Sequence, residues 1–198
     1  ISNLDLIHEK LPKSIKYDKL HRLGEDNKTW YHKKFYKPIN EGTGTFMNLY
    51  EDLIHNEISK IINFDCFLYQ KVPTFRVHTP NNIAVGGWHR DRDYNHSRHE
   101  INFFLPLNEA NESSTIWVES AEGKADYSPI NCSFGELIMW DGANLNHGNK
   151  PNITGKSRVS VDFRILEYSK YTPDKDKKTV SMGKSLILGE YFKLKENK

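Results

Sequence analysis

The chain has 198 residues, a formal net charge of +2, a hydrophobic fraction of 37% and an aromatic fraction of 12%. This length suits a single domain over 1–198, and the aromatic side chains can bury enough area for a core. A nearly neutral charge gives no electrostatic case for nucleic acid or an anionic membrane, and no apolar run is long enough to span a bilayer. Cys66 and Cys132 lie far apart, which argues against a disulfide framework and favours a cytoplasmic protein.

Residues 1–67 are predicted to form helices and loops that support a sheet. The first 42 residues are polar and mixed, which is typical of short helix and loop. Residues 45–62 predict a longer helix, because apolar side chains recur there mostly at three- and four-residue steps. These side chains are Phe46, Leu49, Leu53, Ile58, Ile61 and Ile62. We expect this helix to cover one face of the sheet.

Residues 68–168 are predicted to form the β-rich core. Short β-rich runs alternate there with turn clusters, and no helical pattern separates them, which favours a sandwich or jelly roll over a parallel sheet. The runs are 72–78, 83–91, 100–107, 115–119, 135–140 and 158–166. Residues 169–198 are rich in lysine and predict a solvated C-terminal extension.

The triplet His89-Arg90-Asp91 is the centre of the functional prediction. On a strand, residues i and i+2 point to the same face, so His89 and Asp91 converge while Arg90 points away. His147 follows an apolar run and a turn, from where it can reach the same point. Two histidines and one carboxylate leave three octahedral positions open, which suits an Fe(II) ion that must bind both O₂ and a co-substrate.

Other side chains compete for this role, because an isolated His-x-Asp triplet is weak evidence. Asp93 satisfies the same alternation as Asp91, and three further histidines lie nearby: His78, His96 and His99. These alternatives rank lower for two reasons. A histidine in a polar loop is usually only solvated, and none of these residues pairs with the candidate anion-binding site on residues 158–164.

A strict alternation of apolar and polar residues runs over 158–164. Its apolar face comprises Val159, Val161 and Phe163. Its polar face comprises Arg158, Ser160, Asp162 and Arg164. An exposed face with Arg–Asp pairs is the plain alternative. As a functional site, Arg158 can grip a carboxylate with two parallel hydrogen bonds and Ser160 can add a third, so an iron-chelating 2-oxo acid would extend its far carboxylate there.

In this order and on a strand-rich chain, His89-x-Asp91, His147 and Arg158-x-Ser160 resemble the Fe(II)/2-oxoglutarate-dependent oxygenases. The resemblance covers about residues 70–166. It implies a mainly β fold, a double-stranded β-helix or jelly roll, with flanking N-terminal helices. It also implies that the three ligands form the catalytic centre and that Arg158 and Ser160 bind the C5 carboxylate of 2-oxoglutarate.

Longer strings resemble one branch of that superfamily, the streptomycin-biosynthesis-type oxygenases, whose members are associated with tailoring sugars or other small metabolites. The matching strings are 88–94, 102–107, 115–120 and 157–164. This resemblance implies hydroxylation of a polar small molecule, such as a sugar or an amino-acid-derived metabolite, with O₂ and 2-oxoglutarate consumed and succinate and CO₂ released.

Further residues are predicted around this site from their positions. Asn102 and Trp117 are expected to bind the co-substrate, with a solvent-facing asparagine and a core tryptophan as the plain alternatives. Four side chains are expected to meet the substrate: Arg76, Arg92, Tyr94 and Arg164.

Two other classes of protein use similar ligands. A non-catalytic, metal-binding jelly roll that binds sugar would leave Arg158 and Ser160 without a role. A zinc hydrolase would need a general base near the metal, for which Glu100 and Glu119 are the candidates.

Overall fold

A computed structural model describes residues 3–12, 28–84, 87–180 and 183–197 of the chain. In those ranges the backbone forms two antiparallel sheets, with helices packed on the N-terminal side. The predicted fold class, a mainly β jelly roll with flanking N-terminal helices, is confirmed. Side chains from both sheets line one cavity.

The strands follow in chain order: β1 Cys66–Gln70, β2 Thr74–His78, β3 Glu100–Pro106, β4 Ile116–Val118, β5 Ser128–Pro129, β6 Ile138–Trp140, β7 His147–Asn149, β8 Arg158–Glu167 and β9 Phe192–Glu196. The large sheet has the order β6-β3-β8-β1-β9, and β2 also pairs with β8. The small sheet has the order β5-β4-β7. Strand β8 is long enough to pair with β2 along its first half and with β1 along its second half.

The N-terminal part supplies two main helices: α1 Trp30–Asn40 and α2 Phe46–Asp52. The helical backbone of α2 continues as a π-helical stretch over Leu53–Ile58 and a last turn over Ser59–Ile61. The helix predicted over 45–62 is therefore confirmed. No helix in the described ranges has the length and apolar character that a bilayer crossing requires.

The apolar face of β8 packs against the helical layer. The ring of Phe163 stacks on Phe103 of β3 at a centroid distance of 4.9 Å, and the ring of Tyr50 from α2 lies 5.4 Å from Phe163. Ile54 joins this cluster with no exposed surface. A fully buried side chain of this kind contributes about 1.5–3 kcal/mol. Because the helices cover this face, the polar face of β8 is turned to the space between the sheets.

The prediction of a solvated C-terminal extension is wrong for the end of the chain. Strand β9 pairs with β1 in the large sheet, and Leu186, Tyr191 and Phe192 are buried against that sheet. The lysines concealed this in the sequence, because β9 is an edge strand and charged side chains are common on exposed sheet edges.

Candidate metal centre and its cavity

Backbone hydrogen bonds bring the three predicted ligands together. The amide of His89 donates to the carbonyl of His147 and the amide of His147 donates back, each at 2.9 Å. The amide of Asp91 donates to the carbonyl of Gly142 at 3.0 Å. The strand predicted over 83–91 is wrong here: His89 forms an isolated bridge, and Asp91 begins a single 3₁₀ turn. The two side chains still converge, since the turn starts directly after the bridge.

The side chains of His89, Asp91 and His147 place one ligand atom each within 4.8 Å of the others. Oδ1 of Asp91 lies 3.6 Å from Nε2 of His89 and 3.8 Å from Nε2 of His147. Nδ1 of His89 faces the carbonyl of Gly87 at 2.6 Å, and Nδ1 of His147 faces that of Leu145 at 2.9 Å. These carbonyls hold a proton on each Nδ1 and leave both Nε2 lone pairs free for a metal ion. The donor set therefore fits a divalent transition metal such as iron.

Electrostatics favour the deprotonated forms of Asp91 and His147, which are the forms that bind a metal ion. Burial of the Asp91 carboxyl would raise its pKa, but the charge of Arg164 holds that pKa well below its usual range. Burial lowers the pKa of His147 to about 4, against the opposing effect of the Asp91 charge. At neutral pH the site thus offers an anionic oxygen and a neutral imidazole without a proton to displace.

The competing ligands lie elsewhere. His78 directs both ring nitrogens at backbone carbonyl oxygens, and His96 binds the carboxylate of Glu100. The Asp93 carboxylate pairs with Arg90 near the surface. In the described parts of the chain, no second cluster of three such side chains occurs.

The metal centre opens into a cavity between the sheets with about 570 Å³ of empty space, its open mouth included. Its walls include Phe104 from β3, Ile116 from β4 and Trp140 from β6, while Arg158 and Asp162 contribute the polar face of β8.

Arg158 is almost fully buried, with 1% of its surface exposed. Its Nε donates to the carbonyl of Ser114 at 3.0 Å and its Nη1 donates to Oγ of Ser160 at 2.7 Å, while its Cζ lies 5.5 Å from the ring centroid of Phe104. Burial lowers the pKa of the guanidinium to about 10, so the group stays cationic at neutral pH. Among the described residues, no carboxylate lies within ion-pair distance of Arg158. Its direct hydrogen-bond partners are neutral, and the Asp162 carboxylate acts on it only from beyond the Ser160 hydroxyl. A buried cation without a direct counter-ion is costly unless an anion joins it.

Ser160 lies beside Arg158 but is itself fully buried. Its hydroxyl oxygen accepts from Nη1 of Arg158 and therefore holds the guanidinium in place. Arg76 lines the cavity as predicted, where its Nε donates to Oδ2 of Asp162 at 2.6 Å. The polar face of β8 therefore faces a cavity and not bulk solvent.

Asn102 and Arg164 line the cavity, but they bind a metal ligand. Both side chains donate to Oδ2 of Asp91: Nδ2 of Asn102 at 2.6 Å and Nε of Arg164 at 2.8 Å. The Oδ1 atom of Asn102 is buried and has no hydrogen-bond partner among the described residues. A Cβ atom at Gly142 would lie 2.6 Å from Nδ2 of Asn102, so only glycine fits beside this amide.

Three predicted residues lie outside the cavity lining. The ammonium of Lys150 lies over the ring of Trp117, with Nζ 3.2 Å from the ring centroid. Arg92 forms an ion pair with Glu122. The ring of Tyr94 lies 4.9 Å from that of His89 but is 40% exposed. The structure therefore does not place Trp117 beside the co-substrate site, or Arg92 and Tyr94 in the cavity wall.

Trp140 lines the cavity and was missed by the sequence analysis. Its ring meets that of His147 edge-on at a centroid distance of 4.7 Å. The available signal was its position, because it ends the apolar run before the turn that leads to His147. In the sheet, Trp140 also pairs in register with Asn102.

Neither proposed base of a zinc hydrolase reaches the metal centre. Glu119 accepts the backbone amides of Asn146 at 2.7 Å and Ala125 at 3.1 Å, which orders a loop. Glu100 accepts from His96, and neither glutamate lines the cavity. The carboxylate of Asp162 lines it but pairs with Arg76.

Comparison with known proteins adds one close relative. No family model matches this sequence. Over 167 residues it is 41% identical to the streptomycin biosynthesis protein StrG of Streptomyces griseus, an alignment that spans 84% of this chain and 77% of that protein.

Among solved structures, similar chains include a non-heme monooxygenase described as a ThoJ–Ni complex, with a TM-score of 0.47, 13% identity and coverage of 59% of this chain and 53% of that chain. AviO1 from Streptomyces viridochromogenes Tue57 has a TM-score of 0.41, 23% identity and coverage of 51% and 53%. EvdMO1 has a TM-score of 0.46, 19% identity and coverage of 60% and 32%. This chain spans about half the length of the first two and less of the third.

Proposed function

This chain belongs to the family of the streptomycin biosynthesis protein StrG, and from that premise we propose that it is an Fe(II)- and 2-oxoglutarate-dependent dioxygenase that hydroxylates a polar small molecule. The observation that carries the proposal is one cavity that joins two unlike sites. One site offers two imidazole nitrogens and one carboxylate oxygen. The other offers a buried arginine whose hydrogen-bond partners among the described residues carry no charge.

The metal end of the cavity supplies the ligands. His89, Asp91 and His147 would hold Fe(II) through Nε2, Oδ1 and Nε2. When bound, Fe(II) supplies the redox chemistry that couples decarboxylation of 2-oxoglutarate, to succinate and CO₂, with oxidation of a substrate C–H bond by O₂. The protein's own task is to orient both molecules and to exclude water.

The far end of the cavity supplies the anion site. The guanidinium of Arg158 would bind the C5 carboxylate of 2-oxoglutarate, with Ser160 keeping it in position. Because Arg158 is buried, an incoming carboxylate would gain more from its charge than it would at a surface. The walls at Phe104, Ile116 and Trp140 are apolar and would exclude water between the two ends.

The remaining polar groups of the cavity fit a polar substrate. Arg76 and Asp162 present a paired cation and anion beside Arg158. Such a pair can donate to and accept from hydroxyl or amine groups, as on a sugar or an amino-acid-derived metabolite. A sugar-binding module without redox chemistry would give the buried charge of Arg158 no counter-ion, so the oxygenase is favoured.

The test first measures 2-oxoglutarate binding, because a binding measurement does not require the substrate that is oxidised. Calorimetry of the Fe(II)-loaded protein without O₂ should show 2-oxoglutarate binding, and addition of O₂ should release succinate. Arg158→Met should strongly weaken both signals, while the matched change Arg92→Met, outside the cavity, should keep them. An Fe(II)-loaded protein that does not bind 2-oxoglutarate would overturn the proposal. Screening sugars and amino-acid derivatives for faster succinate release would then identify the substrate class.

A further inference from the structure

The two oxygens of the Asp91 carboxylate have different surroundings. Oδ2 accepts two hydrogen bonds, from Nδ2 of Asn102 at 2.6 Å and from Nε of Arg164 at 2.8 Å, and Nη2 of Arg164 forms an ion pair with the same oxygen at 2.7 Å. Oδ1 faces the two imidazole Nε2 atoms of the metal centre. Each carboxylate oxygen has two lone pairs, so two hydrogen bonds leave none on Oδ2 for a metal ion. Only Oδ1 is therefore offered to the metal.

Arg164 is held in this position by the C-terminal part of the chain. Its Nη1 donates to the hydroxyl of Tyr191 at 3.2 Å, and that hydroxyl donates to Oε1 of Gln70 at 3.0 Å. The carboxylate of Glu100 lies 3.7 Å from Nε of Arg164 on another side. Tyr191 is 4% exposed and precedes β9 directly. The orientation of its hydroxyl is fixed, since it accepts from one partner and donates to the other.

We propose that Arg164 is a positioning residue that restricts Asp91 to one metal-binding oxygen, and that Tyr191 holds Arg164 in place. The proposal rests on the metal centre of the proposed function but not on 2-oxoglutarate. Carboxylates bind metal ions through one oxygen or through both. Binding through both would fill a position that an oxygenase needs for O₂ or its co-substrate. The arginine thus keeps that position open.

The test counts water ligands on Mn(II), bound alone to the full chain, by EPR in water enriched in ¹⁷O. Arg164→Met keeps the side-chain length and removes the charge and the donors. This variant should bind Mn(II) with one water ligand fewer than the unsubstituted protein, because Oδ2 of Asp91 becomes free to bind. Arg164→Lys restores a cationic donor and should restore the water count.

Arg76→Met is the matched control. Arg76 lines the same cavity and pairs with a carboxylate, but its partner Asp162 is not a metal ligand. The water count of this variant should not change. An unchanged count in Arg164→Met would overturn the proposal, whereas an unsubstituted protein that fails to bind Mn(II) would overturn the proposed function itself.

Tyr191→Phe tests the second part and keeps the proposal falsifiable if Arg164→Met does not fold. It removes one hydroxyl and leaves the buried ring. Its mean water count should lie between those of the unsubstituted protein and a protein in which Asp91 binds through both oxygens. An unchanged count would show that the C-terminal segment does not hold Arg164.

Discussion

Arg158 and Arg164 extend from the same polar face of β8, near opposite ends of the cavity, yet their charges meet different partners. Arg164 donates a hydrogen bond to the carboxylate of Asp91 and forms an ion pair with it, so its charge is neutralised within the protein. Arg158 donates to a backbone carbonyl and a serine hydroxyl, which carry no charge. Side-chain chemistry alone does not distinguish the two arginines. The difference teaches that the arginine without a carboxylate is the one available to an external anion.

The largest expected effect lies at the metal end. Asp91→Asn should weaken Mn(II) or Fe(II) binding by at least about 100-fold, since loss of groups that merely orient a metal ligand already costs about 10- to 100-fold. Calorimetry with the metal-free protein measures this. The matched change Asp93→Asn alters a carboxylate that pairs with Arg90 near the surface and should have less than about a twofold effect. Equal losses in both variants would show that the ligand was wrongly assigned.

The next effect lies at the anion end. Arg158→Met should weaken 2-oxoglutarate binding to the metal-loaded protein by roughly 100-fold, because hydrogen bonds to charged groups contribute about 1.5–3 kcal/mol each. The affinity for the metal alone should stay the same, since Arg158 touches no ligand of the metal. Ser160→Ala should produce a smaller loss of the same kind. A parallel loss of metal affinity would contradict the separation of the two ends.

The pH dependence of stability tests a feature that the two ends of the cavity share, which is a buried histidine with a lowered pKa. Burial lowers the pKa of His147 at the metal end and of His78 at the anion end to about 4. As the pH falls below 6.5, each of these histidines gains a proton in the unfolded state, but in the folded state it stays neutral down to about pH 4. The free energy of unfolding should therefore fall as the pH falls through this window. The expected loss between pH 7 and pH 5 is about 2 kcal/mol for each histidine.

Urea unfolding of the metal-free protein at several pH values measures this slope. His78→Gln should make the slope shallower, and His55→Gln, at an exposed position, should leave it unchanged. A slope that becomes steeper in His78→Gln would instead mean that His78 is an imidazolium in the folded state, stabilised by its two carbonyl neighbours, because such a group adds stability as the pH falls.

The smallest expected effects are those of substitutions at two tryptophans, Trp140 and Trp117. Trp140→Phe should weaken 2-oxoglutarate binding by about 3- to 10-fold, because this ring lines the cavity and packs against His147. Trp117→Phe should change it by less than about twofold, since surface substitutions away from a site usually have small effects. Titration of both metal-loaded proteins with 2-oxoglutarate makes the comparison. The reverse order would place Trp117 beside the co-substrate, as the sequence alone suggested.

Much of the fold could be predicted because its signals are local. The helix over 45–62 repeats its apolar residues with helical spacing, and the alternation over 158–164 separates a core face from a cavity face. Strand β9 could not be predicted in this way. Its lysines resemble those of a solvated tail, and its place at the sheet edge depends on pairing with β1, which is distant in the sequence.

The candidate metal ligands could also be predicted, although the predicted local structure was wrong. His89 and Asp91 were expected on one strand, but a bridge and a 3₁₀ turn present them. The three side chains cluster in spite of this error, because their convergence depends on short spacing and on the His89–His147 bridge. The binding roles of Asn102 and Arg164 stay predictions. The sequence could not show that both also donate to Asp91, since a side chain's partner depends on what lies across the cavity.

The sequence by itself determined which residue types are available for chemistry: two histidines and a carboxylate for a metal, and two arginines on one polar strand face. Their spacing restricts which of them can converge, because strand and turn geometry are local. Only the tertiary structure decided which oxygen of Asp91 remains free, which arginine is already neutralised and which tryptophan lines the cavity. Those outcomes depend on contacts between β3, β6, β8 and the C-terminal segment, and such contacts arise only when distant parts of the chain pack together.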